Sequence, residues 1–504
     1  GTEARNEVRF EPRLKSIFTR GQLALVTGGK PAILDLNPHL DYSKTSLPAA
    51  ERSRTIGDPR GAIWNAAGTR LYVSGMGSDN LAVFDAEGRR LREIEIAGGP
   101  SGVALDSERG RLFVFSRFAA AVTSFDSETL QVLRRATLFD PTPDAIRKGR
   151  AHFYDTRKSS GLGQASCASC HVDGRFDRLV WDLGSPSGEM KEITSLEHNF
   201  GAFPPAVTNH FHPMKGPMVT QTLQDIIGHE PFHWRGDRNG LEEFNSTFVD
   251  LQGADRELTD EEMQEFEDFL ASLTFPPNRF RNFDNSLPLV LALPGHTALG
   301  RGQRDKGAPL PAGNAASGLN IFRGSSCAQC HSLPSGLGAD QVFRNGRWTP
   351  IPNGPKGERQ VALVVTERSD ELPFKVPHLR NLHEKVGFSF EGIARSGFGF
   401  FHDGRVDSLT RLLQDGFRLT DDRQTADLIA FLLAFSGSDL PTNPDLFNRN
   451  LPPSGRSQDA PAAAGRQLLT SVNSAVLNNF ALRAESPGGR VELIAKARVN
   501  GRGR

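Results

Sequence analysis

Cysteine, methionine and tyrosine are scarce in this chain: four, five and three among 504 residues, against 34 phenylalanines. Four thiols are too few to staple a protein of this length with disulfides. Long apolar runs are missing too. Leu428 to Phe435 is a short stretch within an amphipathic helical pattern, well below the roughly 20 residues a bilayer span needs. Neither charge is in excess, with 59 Lys+Arg against 59 Asp+Glu, so no basic face points to nucleic acid. No leader pattern is visible, and an opening on Gly1 instead of Met leaves room for one already removed. Arginine far outnumbers lysine, an excess that reads as compositional bias and not as a motif.

The four cysteines have one arrangement in common. They form Cys167-Ala168-Ser169-Cys170-His171 and Cys327-Ala328-Gln329-Cys330-His331. Cys-x-x-Cys-His is the attachment pattern of c-type haem: two thiols add across the vinyl groups, and the His ligates iron from the proximal side. Two other chemistries use paired cysteines. The pairs could close one four-cysteine zinc site, although they lie much farther apart than in zinc ribbons, or each could be a redox dithiol. Two motifs that use every cysteine favour two covalently bound haem c groups. Such attachment is completed outside the cytoplasmic membrane, so a periplasmic, extracellular or cell-surface location is expected.

Length suggests several domains. Residues 1–140 read as strands and turns that repeat every 41 residues: Leu71-Tyr72-Val73 recurs near Leu112-Phe113-Val114, and Leu81-Ala82-Val83-Phe84-Asp85 as Val122-Thr123-Ser124-Phe125-Asp126. A weaker unit lies at Leu23 to Asp35. This period and alternation predict β-propeller blades. Two or three blades do not close a propeller, which takes at least about four. Either the chain is a fragment or blades come from elsewhere; a small sandwich or open sheet is the alternative.

Asp144 is predicted to cap a helix over Ala145 to Tyr154, ahead of the first motif, and Gly318 to Gly324 repeats that placement before the second. Thr259-Asp260-Glu261-Glu262 is a capping box opening Met263 to Leu273, and Thr420-Asp421-Asp422 opens Arg423 to Phe435. A helix before and another after each motif predicts two tandem, mainly α cytochrome c domains, at 141–285 and 286–440. Phe275 to Pro311 is Pro- and Gly-rich and reads as a linker. Residues 441–504 form a tail ending in a strand pattern at Val491 to Val499, the start of a further β segment.

Residues 141 to 440 resemble the bacterial di-haem cytochrome c peroxidase superfamily, which includes the methylamine-utilisation di-haem enzyme. The resemblance rests on Gly149-Arg150-Ala151-His152-Phe153-Tyr154-Asp155, Phe374-Lys375-Val376-Pro377-His378-Leu379-Arg380-Asn381-Leu382, and Phe401-His402-Asp403-Gly404 before Ser408-Leu409. The first half carries a parallel set, Gln221-Thr222-Leu223-Gln224-Asp225-Ile226 and His233-Trp234-Arg235-Gly236-Asp237. The N-terminal segments resemble YVTN-type propeller repeats. The superfamily implies reduction of H₂O₂ at one haem. The other haem relays electrons from a small redox protein and is capped by Met or Tyr. It often implies a Ca²⁺ ion between the domains.

The ligand inventory departs from that pattern. Between 312 and 440 there is no Met and no Tyr, and apart from His331 only His378, His383 and His402 could offer a nitrogen. Phe388 and Phe390 stand in a loop where a ligand could have sat. The first half holds Met190, Met214, Met218 and Met263, with His198, His210, His212, His229 and His233. Met218 follows Lys215-Gly216-Pro217 and is the candidate sixth ligand. The alternative is a core methionine. His210 and His212 could supply a ligand or a gate, and His233 and His402 could orient propionates. His378 and His402 are weaker metal candidates, His378 being more simply structural. Peroxide chemistry needs an acid/base group, for which Glu242, Glu243 and Gln252 are candidates, though exposed helix acids are the common reading of such a pair. Trp234 is a candidate conduit between the haems or a core residue. If Met218 caps the first haem, the second is either open, and so the reactive one, or bis-His.

Three functions follow. One is a peroxidase-type enzyme acting on H₂O₂ or O₂. Another is a non-catalytic di-haem electron-transfer protein. The third is a surface redox or binding module that uses the propeller.

Overall fold

The structure is a computed structural model. It describes residues 1–5, 16–140, 142–183, 191–192, 210–211, 218–273, 275, 278–282, 286–299, 305–333, 336–344, 347–353, 357, 360–361, 363–364, 374–385, 399–435, 498–499 and 502–503. Met190, His198, His212, Met214, Phe388, Phe390 and nearly all of the tail lie outside these residues.

The N-terminal region is all sheet. Strands β1 (Thr2–Ala4), β2 (Thr19–Thr27) and β3 (Lys30–Asp35) form one antiparallel sheet. Two four-stranded meanders follow: β4 (Pro59–Trp64), β5 (Leu71–Gly75), β6 (Asn80–Phe84) and β7 (Arg90–Glu95), then β8 (Pro100–Asp106), β9 (Arg111–Ser116), β10 (Ala121–Asp126) and β11 (Val132–Thr137). The 41-residue repeat therefore marks two like sheets. Alternation along the strands explains their stacking. From the middle sheet Leu71, Val73, Ala82 and Phe84 pack toward Leu36 and Ile56. Its other face, Tyr72, Leu81 and Val83, packs on Leu112, Val114 and Phe125 of the next sheet. Both faces of the middle sheet are thus covered, as in neighbouring blades.

The chain then turns helical. Helix α1 (Asp144–Tyr154) packs on α2 (Asp260–Ala271), and α3 (Ala315–Gly324) packs on α4 (Asp422–Leu433). Asp144 is the first residue of α1 and not its cap: Pro143 holds the cap position, and the Asp144 carboxylate pairs with Arg147. α2 opens on the expected capping box, with the Thr259 and Glu262 side chains exchanging bonds with each other's backbone N–H. The Arg256 guanidinium and the Thr259 N–H together hold the Glu262 carboxyl down at about 2. A carboxylate depressed in this way adds stability that is complete above its ordinary value of 4.5 and lost as pH falls through about 2. Thr259→Ala is expected to cost about 1 kcal/mol at neutral pH, read as a shifted urea midpoint with unchanged slope.

The two helix pairs are built alike. Gly149 in α1 sits against the Glu265 carbonyl and the Phe269 Cβ, and Gly318 in α3 sits against the Asp427 carbonyl and the Phe431 Cβ. One turn on, Phe153 meets Phe269 at 5.5 Å and Phe322 meets Phe431 at 5.4 Å between ring centroids. The second pair has its own core, which includes Leu293, Ala298 and Leu310. The latter part of the Pro/Gly-rich stretch is therefore packed structure, with β12 (Thr297–Leu299) pairing β13 (Asp305–Pro309).

Sheets and helices share contacts. Met76 is buried in the core of the first helix pair. Arg60 and Arg117 reach Asp173 at 3.3 and 3.2 Å. Ser16 donates its N–H to the Leu251 carbonyl at 3.0 Å.

Candidate haem-binding site

The first motif forms a tight turn. Cys167–Ser169 is a single 3-10 turn, and the His171 N–H donates to the Cys167 carbonyl at 2.9 Å. This folds both sulfurs and the imidazole toward one cavity. The His171 Nδ1 lies 2.8 Å from the Gln221 carbonyl. With its proton donated there, the ring presents Nε2 as the free base, as a metal-bound histidine requires. Burial holds the His171 pKa down, which keeps the ring neutral. Burial also pushes Cys167 up to about 11 and Cys170 well above its ordinary value. Neutral thiols in apolar surroundings are poor zinc ligands and poor redox nucleophiles. Among the described residues no three of His, Cys, Asp and Glu gather as a metal cluster, so the cysteine pairs do not form one zinc site.

The motif opens into a cavity of about 380 Å³. Its walls are mostly aromatic and aliphatic, including Phe18, Trp181, Phe232, Phe248 and Phe266. Phe18 comes from the strand region and meets Trp181 edge-on at 6.0 Å. A flat apolar ring held at one edge by thiols suits such a wall, so the residues present fit a covalently bound haem. The chemistry that haem would supply is one-electron exchange at iron.

Of the other site candidates, Met218, Trp234, His378 and Gln252 line this cavity. Gln252 donates its amide to the Cys167 sulfur at 3.4 Å. Met218 pairs with Trp181 across a two-residue ladder. Glu242 and Glu243 stand on the turn Leu241–Phe244, whose end residues line the cavity while the two acids do not. His402 does not line it either; its ring stacks on Phe374 at 4.3 Å. His378 reaches the first cavity from the second half of the sequence.

The second motif is a helical turn, Cys327–Cys330, with the His331 N–H donating to the Cys327 carbonyl at 3.0 Å. Burial lowers His331 to about 4 and raises Cys330 to about 11. The anchoring repeats that of the first half. Leu223 N–H donates to the Gly174 carbonyl at 2.9 Å and Leu379 N–H to the Gly336 carbonyl at 2.8 Å, each Gly having positive φ. Asp225 and Asn381, two residues on, have φ of 53° and 57°.

The halves also cross-link symmetrically. Val219 N–H donates to the His402 carbonyl at 2.6 Å, and Lys375 N–H donates to the Trp234 carbonyl at 2.7 Å. Trp234 and His402 are thus equivalent residues, each one step past a residue with φ of 64°. By the same register Phe374 stands where Met218 stands in the first half. Sequence spacing alone had set His233 beside His402.

Sequence reading missed Phe18, Trp181, Gln221, Lys375 and Lys385. A buried ion pair between Asp225 and Arg380, 0% and 1% exposed at their side chains, also joins the halves. Among the described residues no group of three His, Cys, Asp or Glu side chains gathers to hold the Ca²⁺ ion that the resemblance implies between the domains.

Two haem-attachment motifs, an apolar cavity at the first and a helical frame support a chain of the di-haem cytochrome c kind. The chain is similar to cytochrome c551 peroxidase of Nitrosomonas europaea, 23% identical over 353 residues that make up 67% of this chain and 91% of that protein. No known family pattern matches the chain. Among solved structures, Kuenenia stuttgartiensis hydrazine synthase pressurised with xenon is similar at 17% identity and TM-score 0.35, over 58% of this chain and 88% of that one. The β-propeller domain of Myceliophteria thermophila Cps50 (Swd1) is similar at 16% identity and TM-score 0.18, over 23% of this chain and 38% of that one. Other matched structures are spanned over only 25% to 27% of their length.

Proposed function

We propose that this chain is a di-haem c-type cytochrome with peroxidase-type activity, in two tandem cytochrome c domains at 141–285 and 286–440. The observation that carries the reading is the cavity at Cys167, Cys170 and His171, with the His171 Nδ1 fixed on the Gln221 carbonyl. The similarity to cytochrome c551 peroxidase supports the activity. The overall change is H₂O₂ + 2 e⁻ + 2 H⁺ → 2 H₂O, with electrons delivered singly by a small redox protein.

His171 and His331 would hold the two irons, and Met218, in the wall of the first cavity, would give the first iron a further donor and make that haem the electron relay. Its counterpart Phe374 has no donor atom, so the second haem, if no second histidine binds it, would be the reactive one. Trp234, cross-linked to Lys375 of the other half, lies on the route between them. Gln252, placed at the Cys167 sulfur, would position the first haem, while Glu242 and Glu243, beside that relay site and off its wall, are left without a proton-donor role at the second haem. Maturation of haem c places the protein in the periplasm or at the cell surface. Among the described residues no helix is long and apolar enough to cross a membrane.

Intact mass should show two added haems, one of them lost in Cys167→Ala/Cys170→Ala. EPR of the oxidised protein should show one low-spin and one high-spin iron, and Met218→Leu should convert the low-spin signal. Two low-spin irons at every redox level, with no peroxide turnover, would mean a pure electron-transfer protein and would sink the enzymatic reading.

A further inference from the structure

The first cavity contains two cations that its own half does not supply. Lys375 and Lys385 belong to the second half of the sequence, yet both line the cavity of the first motif. Among the described residues neither ammonium makes a hydrogen bond or an ion pair; Lys385 lies over the Trp234 ring at 5.7 Å from its centroid. Burial depresses each to about 8. Glu230 and Asp237 act on Lys375 from a distance, and Glu384 on Lys385. Both lysines are half-buried. Two side by side add mutual repulsion. An apolar cavity holding two such groups is matched to an anion that enters it.

The haem attached at Cys167 and Cys170 would bring that anion. Its vinyl edge is consumed by the thiols, and its far edge carries two propionate carboxylates. Arg235 and Arg238 of the first half also line the cavity, and Lys375 and Lys385 are the two ammonium groups that the second half adds. The buried backbone bond from Lys375 N–H to the Trp234 carbonyl, 2.7 Å, fixes where the first of these side chains starts.

We propose that Lys375 and Lys385 hold the propionates of the haem bound at Cys167 and Cys170, so that the second half of the chain completes the first haem site. This rests on the haem reading above. It makes the docking of the two halves part of haem binding and sets the charge around the first iron. Cations beside a haem favour its reduced state, so these lysines raise the potential of the first haem and leave that of the second alone.

The test uses the full chain with both haems attached, as counted by intact mass. The potentials are assigned with the Cys167→Ala/Cys170→Ala variant, which retains only the second haem. Lys375→Gln, Lys385→Gln and the double variant are titrated by spectroelectrochemistry at several pH values, with Lys375→Arg as the charge-retaining control. The expected result is a lower potential for the first haem in each single variant and a larger drop in the double. A new pH dependence should appear as the released propionates become protonatable. Lys375→Arg should stay near the parent, and the second haem should not move. An unchanged first-haem potential in the double variant, or equal shifts of both haems, would overturn the proposal while leaving the di-haem reading intact. Absence of haem at Cys167 and Cys170 in the parent chain would instead overturn that reading and this inference with it.

Discussion

Asp225→Asn is expected to remove about 3–5 kcal/mol of stability, the usual cost of breaking a buried ion pair by removing one member. Arg380 is among the largest fully buried side chains of the protein, with its guanidinium on the Asp225 carboxylate and 4.9 Å from the Phe275 ring centroid. Asn retains the size of Asp and tolerates φ of 53°, so the substitution removes charge and little else. Asp225 and Arg380 are 155 residues apart in the chain, one in each half. The loss should therefore appear as the halves parting, with the unfolding transition of one preceding the other. Adding Arg380→Met to Asp225→Asn should recover part of the loss, because the stranded charge is gone, and a double-mutant cycle measures that coupling. A single-variant cost below about 1 kcal/mol, the scale of an exposed pair, would show that water reaches the guanidinium.

The helix crossings set the second large effect. A Cβ on Gly149 would stand 1.8 Å from the Glu265 carbonyl oxygen, and one on Gly318 would stand 2.0 Å from that of Asp427. Both obstacles are backbone, so the helices themselves must part. Gly149→Ala and Gly318→Ala should each lose about 1–3 kcal/mol or more by overpacking. That exceeds the roughly 1 kcal/mol that Ala gains over Gly within a helix. Gly324, at the end of α3, has open space where its Cβ would be, so Gly324→Ala should be neutral or stabilising. Thermal unfolding of the three variants separates crowding from propensity: equal behaviour at Gly318 and Gly324 would refute the close crossing. Each crossing variant should loosen the haem motif that follows its own helix and spare the other.

Local patterns were legible because their causes are local. The Cys-x-x-Cys-His spacing lies within a single turn, so both motifs and their proximal histidines could be read directly. Alternation along β5, β6, β9 and β10 and the 41-residue repeat marked two like sheets. Thr259 and Glu262 announced the start of α2 because a capping box needs only four consecutive residues. Asp144 was misjudged because proline competed for the same cap, and a pattern search does not say which residue wins. The Pro/Gly-rich stretch before Pro311 read as linker because composition does not show that Leu293, Ala298 and Leu310 are buried by a helix more than a hundred residues later.

By itself the sequence determined the chemistry of the haem attachment, the sheet-then-helix order of the chain and the duplicated layout of its second part, all of which depend on near neighbours. Tertiary structure alone decided what surrounds the first haem site. It brought Phe18 from the sheets, Lys375, Lys385 and His378 from the second half, and the Gln221 carbonyl onto the His171 ring. It also paired Trp234 with His402 and Met218 with Phe374 as equivalents. These juxtapositions depend on how two helix pairs and a set of sheets bury one another's apolar faces. That burial is non-directional and leaves no mark at any single position of the chain.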